Sequence, residues 1–447
     1  MNRRNERKEH GLRTIAASLG LCVLVVPVPV ASAPSNGDDP PLVSSGLVSV
    51  PQVEGRGWTL DASVNTQYNS NFRRSINSGG VWRVTPQVTA GIGMPVGRQQ
   101  IFIGGFLGRD VFLNNSRFNR NRMRIGGGIN VRAGTNCVGS VAGEIGRFQT
   151  LFGDVAVVED NVQQQRSLGA QVNCQGDAGL GFGGTVQYQE TENSRARRQL
   201  FNFESLSISP QVSYASPAIG VFSLGASFQN VKYPQRLVLG PDGVVGDEVN
   251  IRSGRLGYRR NLGSRLDLNM GVSSLRVAPK PASVVVLLPG VLPEDEGFVA
   301  GVITDRQPFS TLGYDGALSL QLGDRIDITA STSRSARPNA NLGALTTIRT
   351  AHGIDVDYKL NRKISASVGG SLVNARYRSS FASPDEPQRR ISDRISRVYG
   401  QVRFVPRRGF SMGLEVAHQD RQSNPSIFSF SNTTAMLRLS ASMGRTR

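Results

Sequence analysis

Four arginines on one short stretch carry the most specific chemistry in this chain. Arg120, Arg122, Arg124 and Arg132 share one parity with Asn130, whereas Met123, Ile125, Ile129, Val131 and Ala133 share the other. A guanidinium is always charged and matches carboxylate or phosphate geometry. Residues two apart on a strand point the same way, so this spacing builds one basic face and one apolar face. The pattern recurs. Arg265, Asp267 and Asn269 alternate with Leu266, Leu268 and Met270, and Arg325 and Asp327 with Ile326 and Ile328. Arg349, Asp355, Asp357 and Lys359 share a face, as do Arg397, Gln401 and Arg403. The chemistry that follows is anion recognition. Glu144, Asp267, Asp327, Asp355, Asp357 and Glu415 keep a second reading open, in which the charges satisfy one another in a wet interior.

No catalytic constellation accompanies these charges. Beyond the N-terminal segment the only histidines are His352 and His418. His352 shares a face with Ile348, Ile354 and Val356, and His418 with Met412, Leu414 and Val416. There is no Ser-centred elbow, phosphate loop, H-E-x-x-H motif, C-x-x-C motif or metal-ligand spacing. The expectation is a protein that is not an enzyme and carries no metal or cofactor.

Which element can hold such faces? A charged side chain facing acyl chains at mid-depth costs about 2–4 kcal/mol. The basic faces must therefore look into water while the apolar faces look elsewhere. A closed transmembrane antiparallel β-barrel satisfies both demands and leaves no sheet edge unpaired. The alternation predicts an all-β fold of about 18 strands, with about 16–20 as the range. Strands are expected near 57–69, 80–93, 100–112, 121–135, 139–152, 163–175, 179–191, 201–214 and 219–231. Others follow near 249–260, 264–277, 309–321, 325–335, 346–360, 363–377, 394–405, 409–420 and 430–443. Tight turns such as Gln175-Gly176-Asp177, Asn261-Leu262-Gly263 and Leu322-Gly323-Asp324 alternate with long loops, including 232–248, 278–308, 336–345 and 378–393. Short periplasmic turns and long extracellular loops are how bacterial outer-membrane barrels are built. Arg376 and Arg378 fall on an apolar parity, late in their strand, where an outer rim would meet lipopolysaccharide phosphate.

Residues 1–33 read as a signal peptide. Arg3, Arg4, Arg7, Lys8 and Arg13 precede an apolar stretch from Ile15 to Val30, and Ala31-Ser32-Ala33 is a suitable cleavage site. The stretch is short for a membrane anchor, and Pro27 and Pro29 interrupt it. Residues 34–56 are rich in Pro, Ser, Gly and Asp and read as a short periplasmic lead-in; 57–447 form the barrel. The chain ends in Gly444-Arg445-Thr446-Arg447 and so departs from the terminal aromatic common in outer-membrane proteins.

Cys137 and Cys174 form an even pair in an oxidising compartment, in periplasmic turns that neighbour each other around the rim. A disulfide stapling adjacent hairpins is expected, with two free thiols as the alternative. In the loop 278–308, Val284 and Leu287 lie in an apolar run that precedes Glu294, Asp295 and Glu296. That segment is a candidate constriction, or else an extra short hairpin. The net charge of +18 points to anionic partners. Export excludes nucleic acid; lipopolysaccharide or an anionic solute or polymer remains.

Trp58 to Phe72, WTLDASVNTQYNSNF, resembles the opening strand of the putative beta-barrel porin 2 family, with Tyr68, Asn69, Asn71 and Phe72 in the matching stretch. The resemblance implies an outer-membrane protein of the Gram-negative envelope, inserted by the barrel-assembly machinery among lipid and lipopolysaccharide. It further implies association with exopolysaccharide export and its periplasmic components. The expected function is a porin-like channel for anionic solutes or acidic exopolysaccharide. The alternative is a closed structural or surface-interaction barrel without transport.

Overall fold

The computed structural model describes residues 55–72, 79–149, 161–240, 243–280, 283–287, 307–338, 344–380 and 391–446. The proposed signal peptide and nearly all of the lead-in lie outside them. The first strands are β1 (Gly57–Asn69), β2 (Val81–Val96), β3 (Gln99–Phe112), β4 (Arg120–Ala133), β5 (Cys137–Gln149) and β6 (Val162–Cys174). They continue through β7 (Gly179–Asn193), β8 (Phe203–Ser216), β9 (Gly220–Gly240), β10 (Gly243–Leu262), β11 (Leu266–Pro279) and β12 (Ser283–Leu287). The last are β13 (Phe309–Leu322), β14 (Ile326–Pro338), β15 (Ala344–Lys359), β16 (Ile364–Ser380), β17 (Ser392–Arg407), β18 (Phe410–Asn424) and β19 (Phe430–Thr446).

Neighbours in sequence pair antiparallel, and β1 pairs with both β2 and β19, so the sheet closes on itself. Eighteen strands make the wall. The five-residue β12 is not one of them: β11 pairs directly with β13, and β12 lies against the tip of β9, with Ser283 opposite Leu239 and Leu287 opposite Leu237. Within that apolar segment Ser283–Leu287 form a short strand, and residues 288–306 lie outside the described residues. Of the segment 232–248, expected as a loop, residues 232–240 and 243–248 are instead strand. β9 and β10 run for 21 and 20 residues and stay paired to Gly240–Gly243, across one register shift at Gly246/Asp247. Turn-like Pro and Gly in KYPQRLVLGPDGVVG disguise a long hairpin whose Val and Leu residues continue the ladder.

Alternation sets the wall. Trp58, Leu60 and Val64 of β1, Val88 and Ile92 of β2, Leu107 of β3 and Ile125 of β4 all face outward and are exposed. So are Leu224, Leu256, Val272, Leu318, Ile354, Val368, Val398, Leu414 and Leu437 around the rest of the circle. A water-soluble protein does not leave a continuous apolar band open. Aromatic side chains border it. Trp58, Tyr214, Phe222, Tyr258, Tyr358 and Phe404 sit towards the short-turn end, where Phe222 and Tyr258 stack at 4.8 Å and the Tyr258 hydroxyl donates to Ile219 O. Tyr68 and Trp82 meet at 5.1 Å towards the other end. Ten residues separate Trp58 from Tyr68; at about 3.3 Å per residue and a tilt near 40° they span about 25 Å of height.

The short turns depend on glycine where the chain reverses. Gly263 and Gly323 adopt φ of 69° and 66°, a left-handed conformation that side chains disfavour. Cys137 and Cys174 stand directly opposite each other on β5 and β6 and form a disulfide at the short-turn end. The bond staples neighbouring strands of the wall. A maleimide probe should label neither cysteine in the folded barrel until reductant is added; labelling without reductant would mean the thiols are free.

Candidate functional site

The face opposite the apolar band carries the charge. On β4, Arg120, Arg122, Arg124 and Arg132 share the inner parity, while Met123 and Ile125 are exposed on the outer one. The inner side gains room from glycine: a Cβ at Gly126 would stand 2.8 Å from Glu144 Cβ. Arg122 lies 3.6 Å from Asp110 and Arg124 lies 4.0 Å from Glu144. Asp110 also accepts from the Thr85 hydroxyl at 2.8 Å.

The same pairing runs around the barrel. Arg255 makes a two-pronged contact with Asp315, at 2.9 and 2.7 Å. Arg259 reaches Asp267 at 3.2 Å, Lys359 reaches Asp327 at 2.8 Å, and Arg397 reaches Glu415 at 2.8 Å. Tyr399 donates to Asp355 at 2.5 Å and Ser367 to Asp357 at 2.5 Å. Near the long-loop end, Arg421 binds Asp393, both almost fully buried. Carboxylates thus answer many of the basic residues picked out in the sequence, including Arg122, Arg124, Lys359 and Arg397. Arg132 and Arg403 keep the inner parity and are exposed. Arg349 keeps it on β15. Arg265 and Arg325 lie in short turns, where their backbone carbonyls accept from Gln321 and Lys359.

The long-loop end holds features that charge patterning did not disclose. There the inner parity turns apolar: Phe203, Val231, Tyr233, Val249, Ile251 and Val277 form one buried cluster, with Phe309 and Ala336 against it. The β7–β8 connection folds onto this cluster, through the single helical turn Ala196–Gln199 and the buried Leu200 and Phe201. Arg236 stacks 4.0 Å over Tyr233, donates to Leu200 O at 3.4 Å and lies 3.8 Å from Asp247. A second cluster gathers Phe72, Val81, Phe112 and Phe118. A visible signal existed: on β10 the apolar residues move from even positions such as Leu256 to odd positions at Val249 and Ile251.

The outer face explains the histidines. His352 Nδ1 is 2.9 Å from Thr332 Oγ1, and His418 Nδ1 is 2.9 Å from Thr433 Oγ1, both on the exposed side. Among the described residues no group of three or more His, Cys, Asp or Glu could hold a metal ion.

A closed wall with an apolar belt outside, aromatic borders, a charged interior and one end of tight turns fits a single setting. This is a β-barrel of the Gram-negative outer membrane. The short turns mark its periplasmic end and the long loops its outer end. No family model matches the chain, and no curated protein matches it. Several solved structures are similar to it at low identity. The siderophore receptor PirA from Pseudomonas aeruginosa is 10% identical, over 88% of this chain and 81% of that one, with a TM-score of 0.45. The outer membrane protein opdK from the same organism is 10% identical over 87% and 99%, with a TM-score of 0.45. The ferric enterobactin receptor PfeA, again from Pseudomonas aeruginosa, is 8% identical over 88% and 82%, with a TM-score of 0.48.

Proposed function

We propose that the barrel is a porin-like channel that passes anionic solutes or acidic exopolysaccharide across the outer membrane, without catalytic activity. The observation that carries this reading is the inner wall: polar and charged side chains line it on strands all around an eighteen-stranded closure. Barrels of 16–18 strands leave an aqueous channel unless something fills it. The positive net charge supports an anionic cargo. The resemblance of Trp58–Phe72 to the putative beta-barrel porin 2 family favours a polysaccharide and, with it, periplasmic export components as partners. Arg132, Arg349 and Arg403 are the predicted residues on the inner parity for which no carboxylate partner is found among the described residues. We assign them the selectivity.

A second reading has its own observation. The apolar cluster and the β7–β8 connection occupy part of the outer end, which would suit a closed barrel acting through its surface. The loop residues Glu294, Asp295 and Glu296 lie outside the described residues; narrowing by that loop, with Val284 and Leu287 at its base, belongs to the same proposal.

Planar-bilayer conductance of the refolded barrel under a KCl gradient separates the two. Steady current with an anion-selective reversal potential is expected, and Arg132→Ser with Arg403→Ser should move that potential towards zero. A well-folded barrel that passes no current would sink the channel. Deleting the gene should then remove surface polymer while small-solute uptake persists; the reverse pattern would exclude dedicated export.

A further inference from the structure

Two inner-face arginines near the outer end differ from all the paired ones. On β14 and β15, Arg337 stands opposite Thr347 and Arg349 opposite Ser335. The two arginines are therefore diagonal neighbours on one face, a spacing at which long side chains reach each other. Each is only partly exposed. Like charges in this arrangement repel, and nothing among the described residues compensates them. The nearby carboxylates are already engaged. On β13, Asp315 is held by both prongs of Arg255. On β17, Asp393 accepts from Arg421, from Ser423 Oγ at 2.7 Å and from the hydroxyl of Tyr377, which stands opposite Thr347 on β16. Lower on β15, Asp355 accepts from Tyr399. Arg349 Nε is enclosed and has no hydrogen-bond partner.

The backbone ladder ends beside them, although Arg334 still donates to Thr311 Oγ1 at 3.2 Å. Pairing of β13 with β14 stops at Tyr314 and Arg334, while β13 stays with β11 up to Phe309. Arg337 therefore has a strand neighbour only on the β15 side. Two adjacent guanidiniums and an unanswered N–H together have the makings of an oxyanion site. Two planar forks offer several charge-assisted donors to a tetrahedral or planar dianion.

We propose that Arg337 and Arg349 form a binding site for a phosphate-, sulfate- or carboxylate-bearing ligand on the inner wall at the outer mouth. The proposal deepens the channel reading, since it places anion recognition at one point of the wall where carboxylates do not cancel the charge. The site itself does not require current to flow.

Isothermal titration of the refolded full chain with inorganic phosphate, in a zwitterionic detergent, tests it directly. Saturable binding is expected, weakened about tenfold or more by Arg337→Gln and by Arg349→Lys. Arg408→Gln, in the short turn between β17 and β18, should leave it unchanged. Heat-modifiable gel mobility identifies variants that have folded, and Arg349→Lys keeps the charge while removing the fork. Absence of binding to the wild-type chain, or equal loss in Arg408→Gln, would overturn the site. Conductance in the same preparation reads the channel separately: phosphate binding without current would refute the channel and leave the site standing. Current that phosphate does not touch, in a chain that also fails to bind it, would refute the site and leave the channel standing.

Discussion

Replacing Arg421 with Met is expected to destabilise the barrel by about 3–5 kcal/mol. Arg421 and Asp393 are 2% and 3% exposed, so neither ion can turn to water if its partner is removed. Asp393 is the hub: it accepts from Arg421, from Tyr377 and from Ser423, and Arg421 Nε in turn donates to Ser423 Oγ at 3.2 Å. Removing the cation leaves a buried carboxylate with two hydroxyl donors and no countercharge. The cost of such a change comes from the orphaned ion more than from the lost contact. That argument makes a second, sharper expectation. The double substitution Arg421→Met with Asp393→Asn should be less damaging than Arg421→Met alone, because no bare charge remains. Urea unfolding midpoints of the barrel refolded in vesicles measure both. A double variant that loses the sum of the two single effects would show that packing of Arg421 over the Phe430 ring, 5.8 Å away, and not charge, holds this corner.

The same residues mark where sequence reading reached and where it ended. Parity alone placed Arg122, Arg124, Arg397 and Glu415 on one side of their strands, because the cost of a charge in lipid leaves no other choice. Strand periodicity also recovered the wall and the neighbouring positions of Cys137 and Cys174. It did not say which carboxylate meets which arginine. That depends on cross-strand register: Arg397 faces Gln419 directly, yet it bonds Glu415 along the neighbouring strand. Nor did the pattern distinguish Arg349 from Lys359, which share a face on β15 but differ in having Asp327 within reach. Arg337 went unremarked because the expected strand ended at 335. The outer end was hardest to read, since alternation there no longer separates lipid from water. Val231, Tyr233, Val249 and Ile251 are apolar yet point inward, against one another and the strands beside them. Trp58 lies opposite Arg445 in the register, so β1 brings an aromatic to the periplasmic rim next to the last strand.

Val88 and Thr89 are adjacent in β2 and face opposite ways, which lets one pair of substitutions test the whole wall. Val88 is 47% exposed and stands between Ala62 and Leu107, halfway along its strand. Thr89 stands between Asp61 and Phe106 on the inner side. Arg at position 88 would meet acyl chains near mid-depth and should cost about 2–4 kcal/mol. Arg at position 89 would look into the interior, opposite Asp61, and should change stability by less than about 1 kcal/mol. Equilibrium unfolding in lipid vesicles gives both values. Because side chains alternate with a period of two, a register slipped by one residue would exchange every inner and outer position at once. The reversed ranking, with Thr89→Arg the costlier change, would therefore invalidate more than one strand. It would turn the arginines of β4 towards lipid and remove the physical basis for a charged interior. The expected ranking instead ties membrane placement and inner charge to one measured difference between neighbouring residues.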